Sequence, residues 1–191
     1  MTMIKSFLEP AIQESQRLLT LLPEFEPQLQ QASTLLKDCL LKGNKILACG
    51  NGGSASDSAH MVAEFVGRFM EDRASFPAIP LAADPAIVTS IANDYTFDEV
   101  FARQVQGYSQ PGDVLVVFST SGNSSNIVKA LQAARKHNLH SLAFLGRDGG
   151  KCKNLATVEL IIPSSSTARI QEFHKLLLHV LCHSLEPHLQ K

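Results

Sequence analysis

Residues 45–54 read Lys45-Ile46-Leu47-Ala48-Cys49-Gly50-Asn51-Gly52-Gly53-Ser54, and residues 113–124 read Asp113-Val114-Leu115-Val116-Val117-Phe118-Ser119-Thr120-Ser121-Gly122-Asn123-Ser124. In both, an unbroken apolar run enters a turn rich in glycine or hydroxyls, and helix-period sequence follows. A strand without polar alternation is buried on both faces, and the intervening helices supply the cover. That combination predicts a doubly wound α/β domain with a parallel sheet.

The alternation extends in both directions from these two stretches. Apolar residues recur at helical spacing over 4–41 (Ile4, Phe7, Leu8, Ile12, then Leu29, Ala32, Leu35, Leu36, Cys39), broken only at Leu22-Pro23, which predicts an N-terminal pair of helices within residues 1–42. Gly43 stops the second helix. Beyond the first strand the pattern predicts helix over 54–69, strand over 78–82, helical sequence over 85–108 and strand over 113–118. Helix over 124–136, strand over 141–145, a turn at Arg147-Asp148-Gly149-Gly150, strand over 158–162 and a last helix over 168–185 follow. With no linker, repeat or low-complexity tract, residues 1–191 read as one domain.

Composition narrows the function classes. A chain of 191 residues with 45% hydrophobic and 18% charged residues is neither disordered nor too small for its own core. Its apolar runs are well short of a membrane span, so a soluble cytoplasmic protein without membrane contact is expected. Lys plus Arg number 17 against 18 Asp plus Glu, a net charge of −1 that offers nucleic acid no basic field. Residues 1–5 lack the long apolar core of a signal peptide. Cys39, Cys49, Cys152 and Cys182 show no CxxC spacing and are expected as buried free thiols.

The two turns are the first candidates for chemistry, since open α/β sheets bind ligands outside the carboxyl ends of their strands. In 119–124 four hydroxyl residues flank Gly122 just before a helix, so hydroxyls, free N–H groups and the helix dipole can converge on a dianion. A single turn of this kind also serves as a plain helix cap, but a second glycine-rich turn on the same sheet favours a phosphate site. Neither turn has G-x-G-x-x-G spacing and the chain has no G-x-x-x-x-G-K-[ST], so a small phosphorylated metabolite is expected rather than a nucleotide cofactor.

His60 and Glu64 are four residues apart, about 40° around a helix, and share a face. They offer an acid/base pair or two metal ligands. Asp57 and Arg68 are expected to extend that polar stripe, with Ala59, Val62, Val66 and Phe69 on the apolar side. On the last helix Gln171 and His179 point to the same side but are about 12 Å apart along the axis. A neighbouring subunit is therefore expected to help close the site. His174 and Lys175 lie nearby, and His183 and His188 are read as solvated or partner-facing. The crowding of Leu18, Leu19, Leu21, Leu22 and Phe25 exceeds what a peripheral hairpin buries alone, which predicts a homo-oligomer.

Taken together, Gly50-Asn51-Gly52-Gly53-Ser54 with His60 and Glu64, Asn93-Asp94, 119–124, Gly146-Arg147-Asp148-Gly149-Gly150-Lys151, and Arg169-Ile170-Gln171-Glu172 with His179 resemble the sugar isomerase (SIS) domain family and, within it, the phosphoheptose isomerases. The resemblance covers nearly the whole chain. It implies a five-stranded parallel sheet flanked by helices, a homotetramer, and a ketose–aldose isomerase acting on sedoheptulose 7-phosphate in the synthesis of bacterial lipopolysaccharide heptose. It further implies Glu64 and His179 as the catalytic pair, with the roles of base and acid exchangeable. The implied phosphate contacts are Ser119, Thr120, Ser121 and Ser124, and the implied sugar contacts are Asn51, Gly52, Gly53, Asn93, Asp94 and Gln171. Zinc would be held by His60, Glu64, Gln171 and His179. Some family members carry an acid just before Arg-Ile-Gln-Glu, where this chain has Ala168. Two other readings are a catalytically silent SIS adaptor that binds the replication initiator, whose group lacks counterparts of Glu64 and His179, and a sugar-phosphate-sensing SIS domain, which would need only the phosphate loop.

Overall fold

A computed structural model describes residues 3–189 and folds them as three layers. Residues 1–2 and 190–191, the ends of the expected 1–191 domain, lie outside the described residues. The elements are α1 (Met3–Leu21), α2 (Glu26–Leu41), β1 (Ile46–Gly50), α3 (Gly53–Val66), β2 (Ala78–Pro80), α4 (Pro85–Asp94), α5 (Val100–Tyr108), β3 (Val114–Ser119), α6 (Ser125–Lys136), β4 (His140–Gly146), β5 (Val158–Ile162) and α7 (Thr167–Leu189). The sheet order is β2-β1-β3-β4-β5, with every pairing parallel. The chain leaves β1 toward one edge and returns on its other side at β3. The crevice of an open sheet with this order falls at the β1/β3 switch point, between the two turns singled out above.

Burial explains the layers. Leu47, Cys49, Leu115, Val117, Ala143 and Leu145 face α4–α6, while Ile46, Ala48, Val116, Phe118, Leu142 and Phe144 face α2, α3 and α7. Phe118 and Phe144 are in register across β3 and β4 and stack at 4.5 Å between ring centroids. His174 of α7 is fully buried against both rings, and its Nε2 lies 3.0 Å from the Leu145 carbonyl. Burial lowers its pKa from the ordinary 6.5 to about 4, with the Leu145 bond opposing. The neutral ring donates its Nε2–H to Leu145 and ties α7 to β4, so His174 belongs to the core. All four cysteines are buried free thiols.

Several expectations shift. The core face of α3 is Ser54, Asp57, Ser58, Met61, Val62 and Phe65, while Ala59 and Val66 face outward. The polar stripe is therefore rotated and Asp57 is buried. Helix α3 stops at Val66 rather than at 69, because Gly67 and the segment behind it turn back to bind the last carbonyls. The 85–108 stretch breaks at Tyr95 and resumes after a short 3₁₀ turn. Helix α7 runs past 185 through Pro187, because Leu189 is itself buried in the core and holds the final turn. The leucine cluster near residue 20 is mostly satisfied within the chain, since Leu18 is buried and Leu21, Leu22 and Phe25 pack on the core. The uncovered apolar surface lies earlier on α1, at Ile4, Phe7, Leu8 and Ile12, which are 73%, 71%, 54% and 45% exposed.

Candidate active site

Glycine is required in both turns by close approach. A Cβ on Gly50 would lie 2.4 Å from the Ser54 carbonyl oxygen, and Gly52, with φ +56°, caps α3. A Cβ on Gly53 would lie 2.4 Å from Nε2 of Gln171, so the absence of a side chain there lets the Gln171 amide rest on the first turn of α3. Asn51 does not point free into the crevice. It exchanges two 2.9 Å amide hydrogen bonds with Asn126 of α6, which locks the β1–α3 turn to the β3–α6 turn. Sequence reading missed Asn126, whose only signal is an amide in the first turn of an amphipathic helix.

The β3–α6 turn is built from its own polar groups. Ser119 is buried and its Oγ accepts from the Gly122 N–H at 3.1 Å, while Ser121 Oγ accepts from the Asn123 N–H at 3.1 Å. Asn123 Oδ1 accepts from the Lys151 N–H and the Gly122 carbonyl from the Cys152 N–H, which pins the 146–152 turn beside it. Ser124 has the extended backbone of an N-cap, but its hydroxyl makes no capping bond. The capping alternative is therefore not what this hydroxyl does. It stays available beside the unpaired N–H groups at the start of α6, where the dipole favours an anion.

Helices α3 and α7 run alongside each other and converge on one polar cluster. His60 Nε2 lies 2.8 Å from Glu64 Oε1 and 3.2 Å from His179 Nε2. One nitrogen of each ring and one carboxylate oxygen lie within 4.8 Å of one another. A single His60 Nε2 cannot donate to both neighbours, and Glu64 only accepts when ionised, so the three atoms form a donor set that faces inward on a shared point. Tetrahedral zinc with nitrogen and oxygen ligands at 2.0–2.2 Å sets its ligand atoms about 3.3 Å apart. The 3.2 Å between the two ring nitrogens matches that spacing, and with the Glu64 oxygen the set has the chemistry to hold a small divalent cation. Gln171 is not part of this cluster in its contacts, for its amide lies at Gly53, seven residues before His60.

Around the cluster, Phe69 packs on the His179 ring at 5.8 Å, and the His60 and Glu64 side chains remain 34% and 19% exposed, open enough to meet a substrate. Asp57, one turn before His60, is pushed toward protonation by burial, which the Lys175 ammonium 3.4 Å away opposes. Its Oδ2 is buried without a partner. The Cys182 thiol is pushed up to about 12, first by burial and then by the Glu64 carboxylate. Asn93 and Asp94 sit exposed at the end of α4, bonded to each other at 2.9 Å. A separate cleft of about 640 Å³, lined by Glu14, Arg17, Arg147, Pro163, Ser164 and Ser165, shares no residue with the cluster.

Comparison with known proteins places this arrangement in context. The SIS domain family matches residues 12–146. A phosphoheptose isomerase of Chromohalobacter salexigens is 48% identical over 166 residues, covering 85% of this chain and 84% of that protein. One from Alteromonas mediterranea is 42% identical over 189 residues, covering 97% and 94%. The structure of a Neisseria gonorrhoeae phosphoheptose isomerase superposes with a TM-score of 0.88 at 40% identity, over 96% of this chain and 99% of that one.

Proposed function

This chain belongs to the SIS domain family, among the phosphoheptose isomerases, and on that basis we propose that it interconverts sedoheptulose 7-phosphate and D-glycero-D-manno-heptose 7-phosphate, the aldose that leads to lipopolysaccharide heptose. The observation that carries the reading is the meeting of His60 and Glu64 of α3 with His179 of α7 in one carboxylate–imidazole cluster suited to moving protons, in a chain that also carries a hydroxyl-lined turn suited to a phosphate.

The reaction needs no redox cofactor. A base removes a proton from C1 of the ketose, the electrons form the C1=C2 enediol, and a proton returned to C2 with loss of the O1 proton gives the aldehyde. Glu64 Oε1 is engaged by His60, which leaves Oε2 to take the C1 proton and return it to C2, while His179 relays the proton between O1 and O2. In the reverse direction the same groups act on the same protons, Glu64 carrying the C2 proton back to C1 and His179 returning the proton from O2 to O1. Ser119, Thr120, Ser121 and Ser124 hold the phosphate through neutral donors and the dipole of α6. Gly52, Gly53 and Gln171 meet the sugar at the start of α3, Asn51 braces that turn through Asn126, and Asn93 and Asp94, exposed at the end of α4, are the remaining sugar contacts of this reading.

His60, Glu64 and His179 would hold zinc as the resident ion, and Gln171, the fourth ligand that the family resemblance implies, would have to swing its amide away from Gly53 to join them. Zinc bound there would polarise the substrate carbonyl and stabilise the negative charge of the enediolate. The apolar face of α1 at Ile4, Phe7, Leu8 and Ile12 favours a homo-oligomer, proposed as a tetramer. Light scattering tests this, and a fully active monomer would contradict it. Among the described residues no helix is long and apolar enough to cross a membrane, and the cytoplasm is the proposed location.

Incubation of the purified protein with sedoheptulose 7-phosphate separates this reading from the adaptor and sensor alternatives. The isomerase produces the aldose phosphate; binding without turnover would favour a sensor. The observation against both alternatives is that Glu64 and His179 are retained and meet His60 in one cluster.

A further inference from the structure

The end of α3 is held by a buried ion network that the reaction as described does not use. The side chains of Arg73 and of Glu186 on α7 are only 2% and 6% exposed, with Arg73 Nε 3.4 Å from Glu186 Oε1. Arg73 Nη2 donates to the backbone carbonyl of Glu64, and Nη1 donates to the carbonyls of Phe65 at 3.0 Å and Ala74 at 2.8 Å. Glu186 Oε2 accepts from the N–H groups of Glu71 at 2.7 Å and Met70 at 3.3 Å. The Phe76 N–H also binds the Phe65 carbonyl, at 3.0 Å. The guanidinium therefore takes the place of a helix C-cap, satisfying carbonyls that the end of α3 leaves free, and its charge complements the negative end of the helix dipole.

Two charges out of water are a poor way to gain stability, since apolar residues of similar volume usually do as well. What such a pair supplies is one geometry. Arg73 grips the main chain of Glu64 itself. Glu186 lies seven residues beyond His179, two helical turns and about 20° around α7, so both project from one side. The segment that Glu186 holds by the amides of Met70 and Glu71 also carries Phe69 against the His179 ring. We infer that the Arg73–Glu186 pair is a positioning device for the proton-transferring residues, fixing where Glu64 leaves α3 relative to His179 on α7. This rests on the assignment of Glu64 and His179 above.

The test compares kcat and KM for sedoheptulose 7-phosphate in Arg73→Lys, Glu186→Gln and Glu64→Gln, each checked for native near-UV circular dichroism at the assay temperature. A lysine keeps the charge opposite Glu186, but its single nitrogen cannot reproduce the three guanidinium nitrogens that reach Glu186 and the carbonyls of Glu64, Phe65 and Ala74. Glu186→Gln keeps an acceptor for the amides of Met70 and Glu71 and stands in if Arg73→Lys does not fold. Loss of positioning is expected to lower kcat about tenfold to a hundredfold, the scale of a misplacement of about 1 Å, with KM changed less than about threefold. A folded variant with normal kcat and only a lowered melting temperature would make the pair structural and overturn the inference, as would a rise in KM at constant kcat. Full activity in Glu64→Gln would instead overturn the assignment of Glu64, and this inference with it.

Discussion

Replacing Gly122 by alanine tests the phosphate turn, and Gly43→Ala is its control. Both glycines have positive φ, +63° and +78°, a conformation that costs a residue with a Cβ about 1–2 kcal/mol. Their surroundings differ. A Cβ at Gly43 meets nothing within 4 Å, whereas one at Gly122 would lie 2.0 Å from the Gly149 carbonyl oxygen and 2.4 Å from its carbon. The neighbour is backbone, so the 119–124 and 146–152 turns would have to part by about 1 Å or more to reach van der Waals contact, adding the roughly 1–3 kcal/mol of an overpacked site. Gly43→Ala should therefore lower the unfolding free energy by about 1–2 kcal/mol and Gly122→Ala by about 2–5 kcal/mol, read from equilibrium denaturation. Because the displaced turn carries the proposed phosphate donors, Gly122→Ala should also raise KM about tenfold or more, while Gly43, at the opposite end of the sheet, should leave KM unchanged. Equal stability losses with normal KM in both variants would refute the argument.

Other outcomes follow from individual groups. Ser119→Ala or Ser121→Ala should each raise KM by about 1–3 kcal/mol in binding terms, the scale of a hydrogen bond to a charged group, and unchanged KM in both would move the phosphate elsewhere. Protein purified without chelator should contain zinc near one ion per chain, lose activity on chelation and regain it when zinc is returned; full activity in metal-free protein would remove the ion from the reaction. His174 titrates at about 4 in the fold against 6.5 when free, so the unfolded chain binds the extra proton and stability falls as pH drops through that window. Glutamine at 174 keeps the bond to Leu145 without titrating, and should flatten the pH dependence of stability between about 6.5 and 4; an unchanged slope would contradict this.

The parts of this fold that were legible in the sequence are those decided locally. Unbroken apolar runs as short as 114–118, bounded by turn residues, read as strands covered on both faces, and the glycine turns at their ends mark where the sheet opens into its crevice. The His60–Glu64 pairing was legible because helical spacing alone brings those side chains together. What was hidden depends on distant chain. The bond between Asn51 and Asn126 spans 75 positions, and the Arg73–Glu186 contact spans 113, so no periodicity announces either. Asp57 was misplaced because a polar residue reads as solvent-facing, whereas Lys175 on α7 offsets part of its burial. The end of α3 was set too late because its cap is the guanidinium of Arg73 from the following segment rather than a local signal.

The central claim is that Glu64 and His179, brought together from α3 and α7, move the protons of the isomerisation. The most direct measurement is kcat for sedoheptulose 7-phosphate in folded Glu64→Gln and His179→Ala, with substrate binding followed separately. Loss of a general acid or base predicts a fall in kcat of about 10²–10⁴-fold in each, with binding of the phosphosugar retained. Turnover at the normal rate by either folded variant would contradict the account.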